Sequence, residues 1–482
     1  MNSLAIAAGA SILLPFVCAF FIIVLPRKYD KALGILGAAL SSVATLVVAA
    51  LFVAGGMEEQ TVTWLAFGDV AIMGFVFDKV SVLLSPTFVI IGLLVTIYST
   101  AYLTPENREH PDEPRRRFFA FMAIFIAAMP GLVYSSTIIS QLVFFEITGA
   151  CSWALIGYYG TDIARKSALK AVIVTHIAAL GLYFAAIAMF VQVGSFELSA
   201  LADLQGGWKT LVLLLILIAA WGKSAQLPFY MWLPSAMNAP TPVSAYLHGA
   251  SMVKVGVCIF ARALLECGEV SEIVGWVVVI GGILTCVFAF LMYLPQTDMK
   301  RLLAFSTISQ LSYVFLGFGF YIFGSDMALT GSIMHIFNHA WAKTLFFLIA
   351  GAFSVTMGTR YLDKIRGVVQ KRPILGVGFA VAALAIAGCP PMNGFFSKFY
   401  IFTGGFLAAF DNPALMVIVI IALIETVLCF MWFLKWTGSV LFGKPSEAVE
   451  DSTPVPAAMK GVFVVLIIMV FCSGFIGAAW LA

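Results

Sequence analysis

The chain has 482 residues, 62% hydrophobic and 11% charged, with a formal net charge of +3. Soluble domains carry about 25% charged residues, so composition excludes a water-soluble fold and, with it, a nucleic-acid partner. Apolar runs of about twenty residues recur from end to end, the mark of an all-α polytopic membrane protein; a transmembrane β-barrel would show short alternating strands instead.

Fourteen transmembrane helices are predicted, at roughly 4–25, 32–54, 80–102, 117–135, 138–159, 166–193, 210–231, 241–265, 272–294, 300–320, 326–356, 374–403, 413–441 and 460–481. The first run, Leu4 to Val24, lacks a basic leader and a small-residue cleavage site, so it is expected to be a retained helix. Residues 56–79 are polar and β-prone (Thr61-Val62-Thr63-Trp64) and predict a small extracytoplasmic hairpin. Loop charges alternate in sign. One side carries Arg27, Lys28, Lys31, Arg108, Arg115, Arg116, Arg117, Arg165, Lys166, Lys170, Lys300, Arg301, Arg360, Lys364, Arg366, Lys371, Arg372 and Lys444. The other carries Glu58, Glu59, Glu197, Asp203, Glu266, Glu269, Glu272, Asp326 and Asp411, with Lys209 its one clear base. The positive-inside rule makes the basic loops cytoplasmic, which puts both termini outside the cytoplasm.

The seventh and twelfth predicted helices contain breakers. The first reads Trp221-Gly222-Lys223-Ser224-Ala225-Gln226-Leu227-Pro228; the second reads Gly388-Cys389-Pro390-Pro391-Met392-Asn393-Gly394-Phe395-Phe396-Ser397-Lys398. Proline removes a backbone donor and clashes with the preceding turn, and at membrane depth the freed carbonyls must face protein or a wet cavity. The breaks lie five helices apart, and an odd offset inverts the second unit relative to the first, as in inverted-topology repeats. The expected organisation is a three-helix segment with the hairpin (1–116), a first five-helix unit of helices 4–8 (117–267), a second, inverted unit of helices 9–13 (268–442), and a C-terminal loop and helix (443–482).

Lysine occurs four times inside apolar helices, as Lys223, Lys254, Lys343 and Lys398. A charge near the bilayer centre costs roughly 2.5–3.5 kcal/mol on insertion scales, and intramembrane ionisable residues mark ion paths. With Glu146, these lysines are most economically read as a path for protons. Lys223 is the expected partner of Glu146, because a Glu–Lys pair in a low-dielectric site can switch protonation when a neighbouring charge moves. His248 and Lys254, about 120° apart on a continuous helix, would hand a proton on rather than share a ligand. His335, His339 and Lys343 follow one another at spacings of four and form one stripe. Two histidines so spaced can ligate a metal, but no third ligand stands nearby and Lys343 would repel a cation, so proton relay is expected and no metal. Lys398 would suit an exit. His176 and Glu425 are open between packing and function. Arg262 and Lys435 lie near helix ends and can snorkel.

The eight cysteines form no C-x-x-C pair and read as small buried hydrophobes. An intramembrane enzyme would need a surface carboxylate or histidine pair; only Glu109, His110 and Asp112 cluster so, and they read as a solvated loop. Neither catalytic residues nor a cofactor are expected within the chain.

Two further stretches complete a pattern. Ala239-Pro240-Thr241-Pro242-Val243-Ser244-Ala245-Tyr246-Leu247-His248 through Met252-Val253-Lys254-Val255-Gly256, with Phe144-Phe145-Glu146, Trp221-Gly222-Lys223 and Gly394-Phe395-Phe396-Ser397-Lys398, resembles the antiporter-like subunits of complex I, Mrp-type sodium/proton antiporters and membrane-bound [NiFe] hydrogenases. Val95 to Thr100, Asn107 to Pro111, Phe144 to Ile156 and Gly443 to Val449 look most like the D-subunit family of hydrogenase-4. The resemblance implies a polar axis through Glu146, Lys223, Lys254, the histidines and Lys398. It also implies a bacterial or archaeal cytoplasmic membrane and an ion-translocating role, with protons or Na+ moved while partners do the redox chemistry. Expected partners are other membrane subunits, further antiporter-like ones among them, and a cytoplasmic hydrogenase arm holding the NiFe centre and iron–sulfur clusters. An Mrp-type antiporter subunit or a complex I subunit is the alternative. The chain stops at Ala482, without the long lateral helix of the distal complex I subunit, so an internal or compact subunit is expected.

Overall fold

A computed structural model describes residues 3–112 and 115–482. In chain order its helices are α1 (Ser3–Val24), α2 (Asp30–Ala54), α3 (Lys79–Tyr102), α4 (Arg116–Tyr134), α5 (Ile138–Ile156), α6 (Asp162–Val193), α7 (Gly207–Lys223), α8 (Trp232–Ser235), α9 (Thr241–Gly249), α10 (Met252–Glu266), α11 (Glu272–Tyr293), α12 (Met299–Ile322), α13 (Asp326–Met357), α14 (Val368–Lys371), α15 (Pro373–Ala387), α16 (Asn393–Asp411), α17 (Ala414–Leu441), α18 (Glu447–Glu450) and α19 (Ala457–Leu481). Between α2 and α3 lies the expected hairpin, β1 (Gln60–Phe67) paired antiparallel with β2 (Val70–Phe77). Gly68, at φ 61°, supplies the left-handed turn residue that joins them.

Twelve spans among the described residues are long and apolar enough to cross a membrane. The difference from the fourteen predicted has a physical cause. The two predicted spans outside the twelve are the seventh and the twelfth, whose breakers cut them into pieces. The eighth is also interrupted: α9 ends at Gly249 and α10 begins at Met252, with Ser251 far from helical geometry (φ −137°, ψ −112°). No proline or charge marks this interruption in the sequence, and it removes the 120° relation that His248 and Lys254 would have on one continuous helix. A methyl on Gly249 would lie 2.1 Å from the Thr344 hydroxyl, so the interruption presses against α13.

Three spans are enclosed by the others: Thr241–Glu266, α12 and α13 are buried throughout their apolar windows. Long α13 packs against α3, α9, α12, α15, α16 and α19. The outer helices turn apolar side chains such as Phe20, Val43, Ile187, Val427 and Phe475 outward, as a lipid-facing surface requires.

The loops gather by charge. On the basic side Arg360 pairs with Glu109 (2.7 Å) and Asp298 (3.1 Å), and Arg108 donates to the carbonyls of Thr356 (3.0 Å) and Asp451 (2.7 Å). At the opposite end the hairpin docks on the α4–α5 turn through Thr137, whose hydroxyl donates to the Ile72 carbonyl at 2.7 Å. Two basic residues differ from expectation. Arg262 does not snorkel: it is buried, with Asp78 held at 2.9 and 3.0 Å and Glu266 at 3.4 Å. Lys300 is no loop base; it is buried and donates to the Ala239 carbonyl at 2.6 Å. Both follow from crowding, since neighbouring elements pack over these two positions near the ends of α12 and α10.

Asp78 also caps α3, accepting from the Ser81 amide at 2.7 Å. Burial pushes its carboxyl up, but the Arg262 guanidinium and the Ser81 hydrogen bonds outweigh that and hold it below the ordinary carboxylate range. Arg262→Met would strand this carboxylate and is expected to cost about 3–5 kcal/mol, read as a lower melting temperature in detergent. Because the folded-state value is depressed, the wild-type contribution is complete above the ordinary carboxylate range. It is lost as pH falls below that range, through the depressed value. The melting temperatures of wild type and Arg262→Met should therefore converge only in acid.

Candidate functional site

The first helix break positions Lys223. α7 ends there, Ala225 takes a left-handed φ of 52°, and Leu227–Pro228 is cis. Polar groups at the break find partners, some of them on neighbouring helices. Ser224 Oγ donates to the Val253 carbonyl (2.9 Å), Trp232 Nε1 to that of Gly222 (3.0 Å), Gln226 Nε2 to those of Ser224 (3.0 Å) and Ile308 (3.3 Å), and the Leu227 amide to Thr285 (3.2 Å). Lys223 is buried and reaches back to α5, donating to the Phe145 carbonyl (3.1 Å) and Thr148 Oγ1 (3.3 Å).

Glu146 is not the ion-pair partner of Lys223. Its carboxylate pairs with His176 Nδ1 at 3.2 Å and accepts from the Tyr183 hydroxyl at 3.4 Å, both on α6. The two groups flank Gly149, where an added methyl would stand 3.2 Å from Lys223 Nζ and 3.9 Å from a Glu146 oxygen. Glu146 is also not buried: its side chain is 34% exposed and that of His176 56%. One α5 face carries Phe145 and Thr148 inward, and Glu146 points across it toward α6.

The enclosed spans hold the next groups. Lys254 Nζ lies 2.8 Å from His339 Nδ1, joining α10 to α13. His248 Nδ1 meets Thr307 Oγ1 at 3.0 Å, on α12. Thr307 in turn donates to the Leu303 carbonyl (2.9 Å), which also accepts from Lys343 Nζ (3.2 Å); Lys343 has Ser306 Oγ as a second partner. One backbone oxygen thus ties Lys343 on α13, through Thr307, to His248 on α9. The His335 and His339 rings lie 5.9 Å apart, but their Nδ1 atoms have different partners, Ser397 Oγ (2.9 Å) for His335 and Lys254 for His339.

The second break positions Lys398. α15 ends on Gly388 in the left-handed region (φ 84°), and Pro390–Pro391 is cis. Asn393, at the start of α16, is pinned to α13: its side chain donates to the Asn338 carbonyl (2.8 Å) and the Asn338 side chain to the Asn393 carbonyl (3.0 Å). Lys398 Nζ then donates to the Ile386 carbonyl at 3.1 Å, one freed by the break.

The structure therefore links Lys254 with His339, and His248 with Lys343, and seats His335 beside Ser397–Lys398. It leaves Glu146 and Lys223 side by side but unpaired. Sequence reading passes over the acceptors Ser306 and Thr307, although Ser306-Thr307-Ile308-Ser309-Gln310 is a run of polar residues inside a membrane helix, and that is the available signal. Buried His248 Nε2, His335 Nε2, His339 Nε2 and both amide atoms of Gln310 have no hydrogen-bond partner among the described residues. Such atoms are rare in folded chains and call for water or an exchanging proton.

Residues 135–429 match the family described as NADH:quinone oxidoreductase/Mrp antiporter, TM, and residues 64–119 match that described as NADH-Ubiquinone oxidoreductase (complex I), chain 5 N-terminus. The A/B subunit of a probable K(+)/H(+) antiporter from Rhizobium meliloti (strain 1021) is 34% identical over 447 residues, 90% of this chain and 43% of that protein. The A1 subunit of a Na(+)/H(+) antiporter from Staphylococcus aureus (strain JH9) is 33% identical over 431 residues, 84% of this chain and 52% of that protein. A chain in the structure of the Mrp complex from Dietzia sp. DQ12-45-1b superposes with a TM-score of 0.84 at 27% identity, covering 100% of this chain and 51% of that one. The chain thus spans about half the length of these relatives.

At the second break, a methyl on Gly394 would lie 1.9 Å from the Ala385 carbonyl. Gly394→Ala is expected to force α15 and α16 apart, at a cost of about 1–3 kcal/mol or more. Thermal melting of the purified protein checks this, with Gly461→Ala, which meets open space, as the control.

Proposed function

The chain belongs to the NADH:quinone oxidoreductase/Mrp antiporter membrane family, and on that premise we propose that it is an ion-translocating subunit of a multi-subunit cation/proton antiporter complex of the Mrp type. The observation that carries this reading is the burial of Lys223, Lys254, Lys343 and Lys398, each at most 3% exposed, with no carboxylate in direct contact among the described residues. Pairing with a carboxylate is the usual way to hold a buried structural charge, although Lys300, at the start of α12, rests on the Ala239 carbonyl. A lysine held by carbonyls, hydroxyls and an imidazole keeps its proton mobile, because a small change in local charge shifts its protonation.

In this reading Lys254 donates toward His339 Nδ1, so the neutral ring carries its proton on Nε2. Transfer from Lys254 makes the imidazolium, and loss of the Nε2 proton toward His335 restores the neutral ring. Lys223 and Glu146 respond to each other across Gly149, and Lys398 ends the line at the second break. We assign the basic loops to the cytoplasm, both termini to the outside, and residues 117–267 and 268–442 to two inverted units. The half-exposed Glu146–His176 pair supports a neighbouring membrane subunit, since bare lipid is a poor surface for ionisable groups.

A second reading, a subunit of a membrane-bound [NiFe] hydrogenase, rests on the sequence stretches quoted above. The antiporter subunits from Rhizobium meliloti and Staphylococcus aureus and the Mrp complex from Dietzia favour the first. Co-purification with hydrogenase large and small subunits, and ion movement driven by hydrogenase turnover rather than by a cation gradient, would select the second.

In inside-out vesicles carrying the whole complex, Lys223→Ala, Lys254→Ala and Glu146→Gln are each expected to abolish the proton or sodium gradient while the complex still assembles. A normal gradient in all three would sink the ion-path reading.

A further inference from the structure

Among the described residues three carboxylates are buried: Asp30, Asp298 and Glu425. Asp30 opens α2 and faces Arg116 at 3.6 Å, while Asp298 caps α12 and pairs with Arg360 at 3.1 Å. Glu425 differs. It lies in the middle of α17, 3% exposed, with no salt bridge to any arginine among the described residues. One carboxylate oxygen accepts from Ser309 Oγ at 2.8 Å and the other from the Tyr313 hydroxyl, both on α12. Tyr313 also shares a 2.6 Å hydrogen bond with Thr426 Oγ1. Hydroxyl donors on both oxygens fit the acceptor-only, ionised form of the acid. A buried carboxylate in that form needs a cation. The lysine that packs on this cluster is Lys398, whose Nζ stands 4.8 Å from the centre of the Tyr313 ring. Its hydrogen bond to the Ile386 carbonyl leaves its charge uncompensated.

We propose that Glu425 is a working carboxylate of the ion path: the counter-charge of Lys398 at the second helix break and the acceptor for its proton. This rests on the ion-path reading above. When the proton passes, one N–H bond of Lys398 breaks and one O–H bond forms on Glu425. An ammonium–carboxylate pair becomes an amine and a carboxylic acid. Neither state strands a net charge in the apolar interior, so the couple can load and unload without the cost of an isolated buried ion. Lys398 Nζ lies over the face of the Tyr313 ring, and the hydroxyl of that ring orients the carboxylate. At the first break Lys223 has Glu146 across Gly149; the second break would then carry a lysine–glutamate couple of its own.

The test is ion movement in vesicles carrying the full complex. Glu425→Gln is expected to lower the rate about a hundredfold, the scale of losing a positioned proton-transfer group, with the complex assembled. Glu425→Asp, which keeps the charge, should recover most of it, a rescue that a packing role would not give. Wild-type transport in assembled Glu425→Gln overturns the proposal. If Glu425→Gln fails to assemble, the double variant Lys398→Met with Glu425→Gln decides. Restored assembly supports the charge coupling, and continued failure reduces Glu425 to packing and overturns it. Lys254→Ala run alongside separates the two levels: if it abolishes transport while Glu425→Gln does not, this inference alone falls. Normal transport in both removes the ion path itself.

Discussion

A dehydrated interior tolerates neither an unpaired backbone group nor an isolated charge, and the whole arrangement answers to that constraint. Each helix break creates free carbonyls and amides. Specific partners close several of them: Trp232, Gln226 and Thr285 at the first, and Lys398 at the second. Lys398 is part of the same solution, since its ammonium group takes up the freed carbonyl of Ile386, while Lys223 and Lys343 place theirs on the helix carbonyls of Phe145 and Leu303.

Enclosure then concentrates the chemistry. Many of the polar side chains sit on α9–α10, α12 and α13, the spans buried throughout their apolar windows. The outer helices contribute apolar surface on one side and shield the axis on the other. Enclosure also lowers the local dielectric, so each proton position depends strongly on its neighbours. That sensitivity separates a line of lysines and histidines from a set of structural ion pairs such as Arg262–Asp78, whose charges are fixed by direct contact. The two kinds of buried charge coexist in α10, at Lys254 and Arg262. What distinguishes them is the partner, a histidine ring for one and a carboxylate for the other.

Within the spans, the apolar shield is broken at Glu146 and His176. A group so placed is costly against bare lipid. Its position also explains why Glu146 keeps a histidine rather than Lys223: α5 presents its backbone carbonyl and Thr148 inward, and Glu146 falls on the outer edge of the same turn.

The sequence by itself determined the order of the spans, the hairpin, the two proline breaks and the set of buried lysines and histidines. These are local signals: length of apolar runs, proline chemistry, and the anomaly of a charge in an apolar stretch. It could not separate Lys300 or Arg262 from ordinary loop and helix-end bases, because that distinction depends on which neighbours crowd the helix end. The interruption at Ala250–Ser251 carries no proline and is set by the close approach of Gly249 to Thr344. Pairing was likewise out of reach. Lys254 with His339 spans 85 positions, and Ser309 with Glu425 spans 116. Contacts at such separation are decided only when α10, α12, α13 and α17 pack around one another, because helix rotation, not residue type, selects which buried groups come within hydrogen-bonding reach.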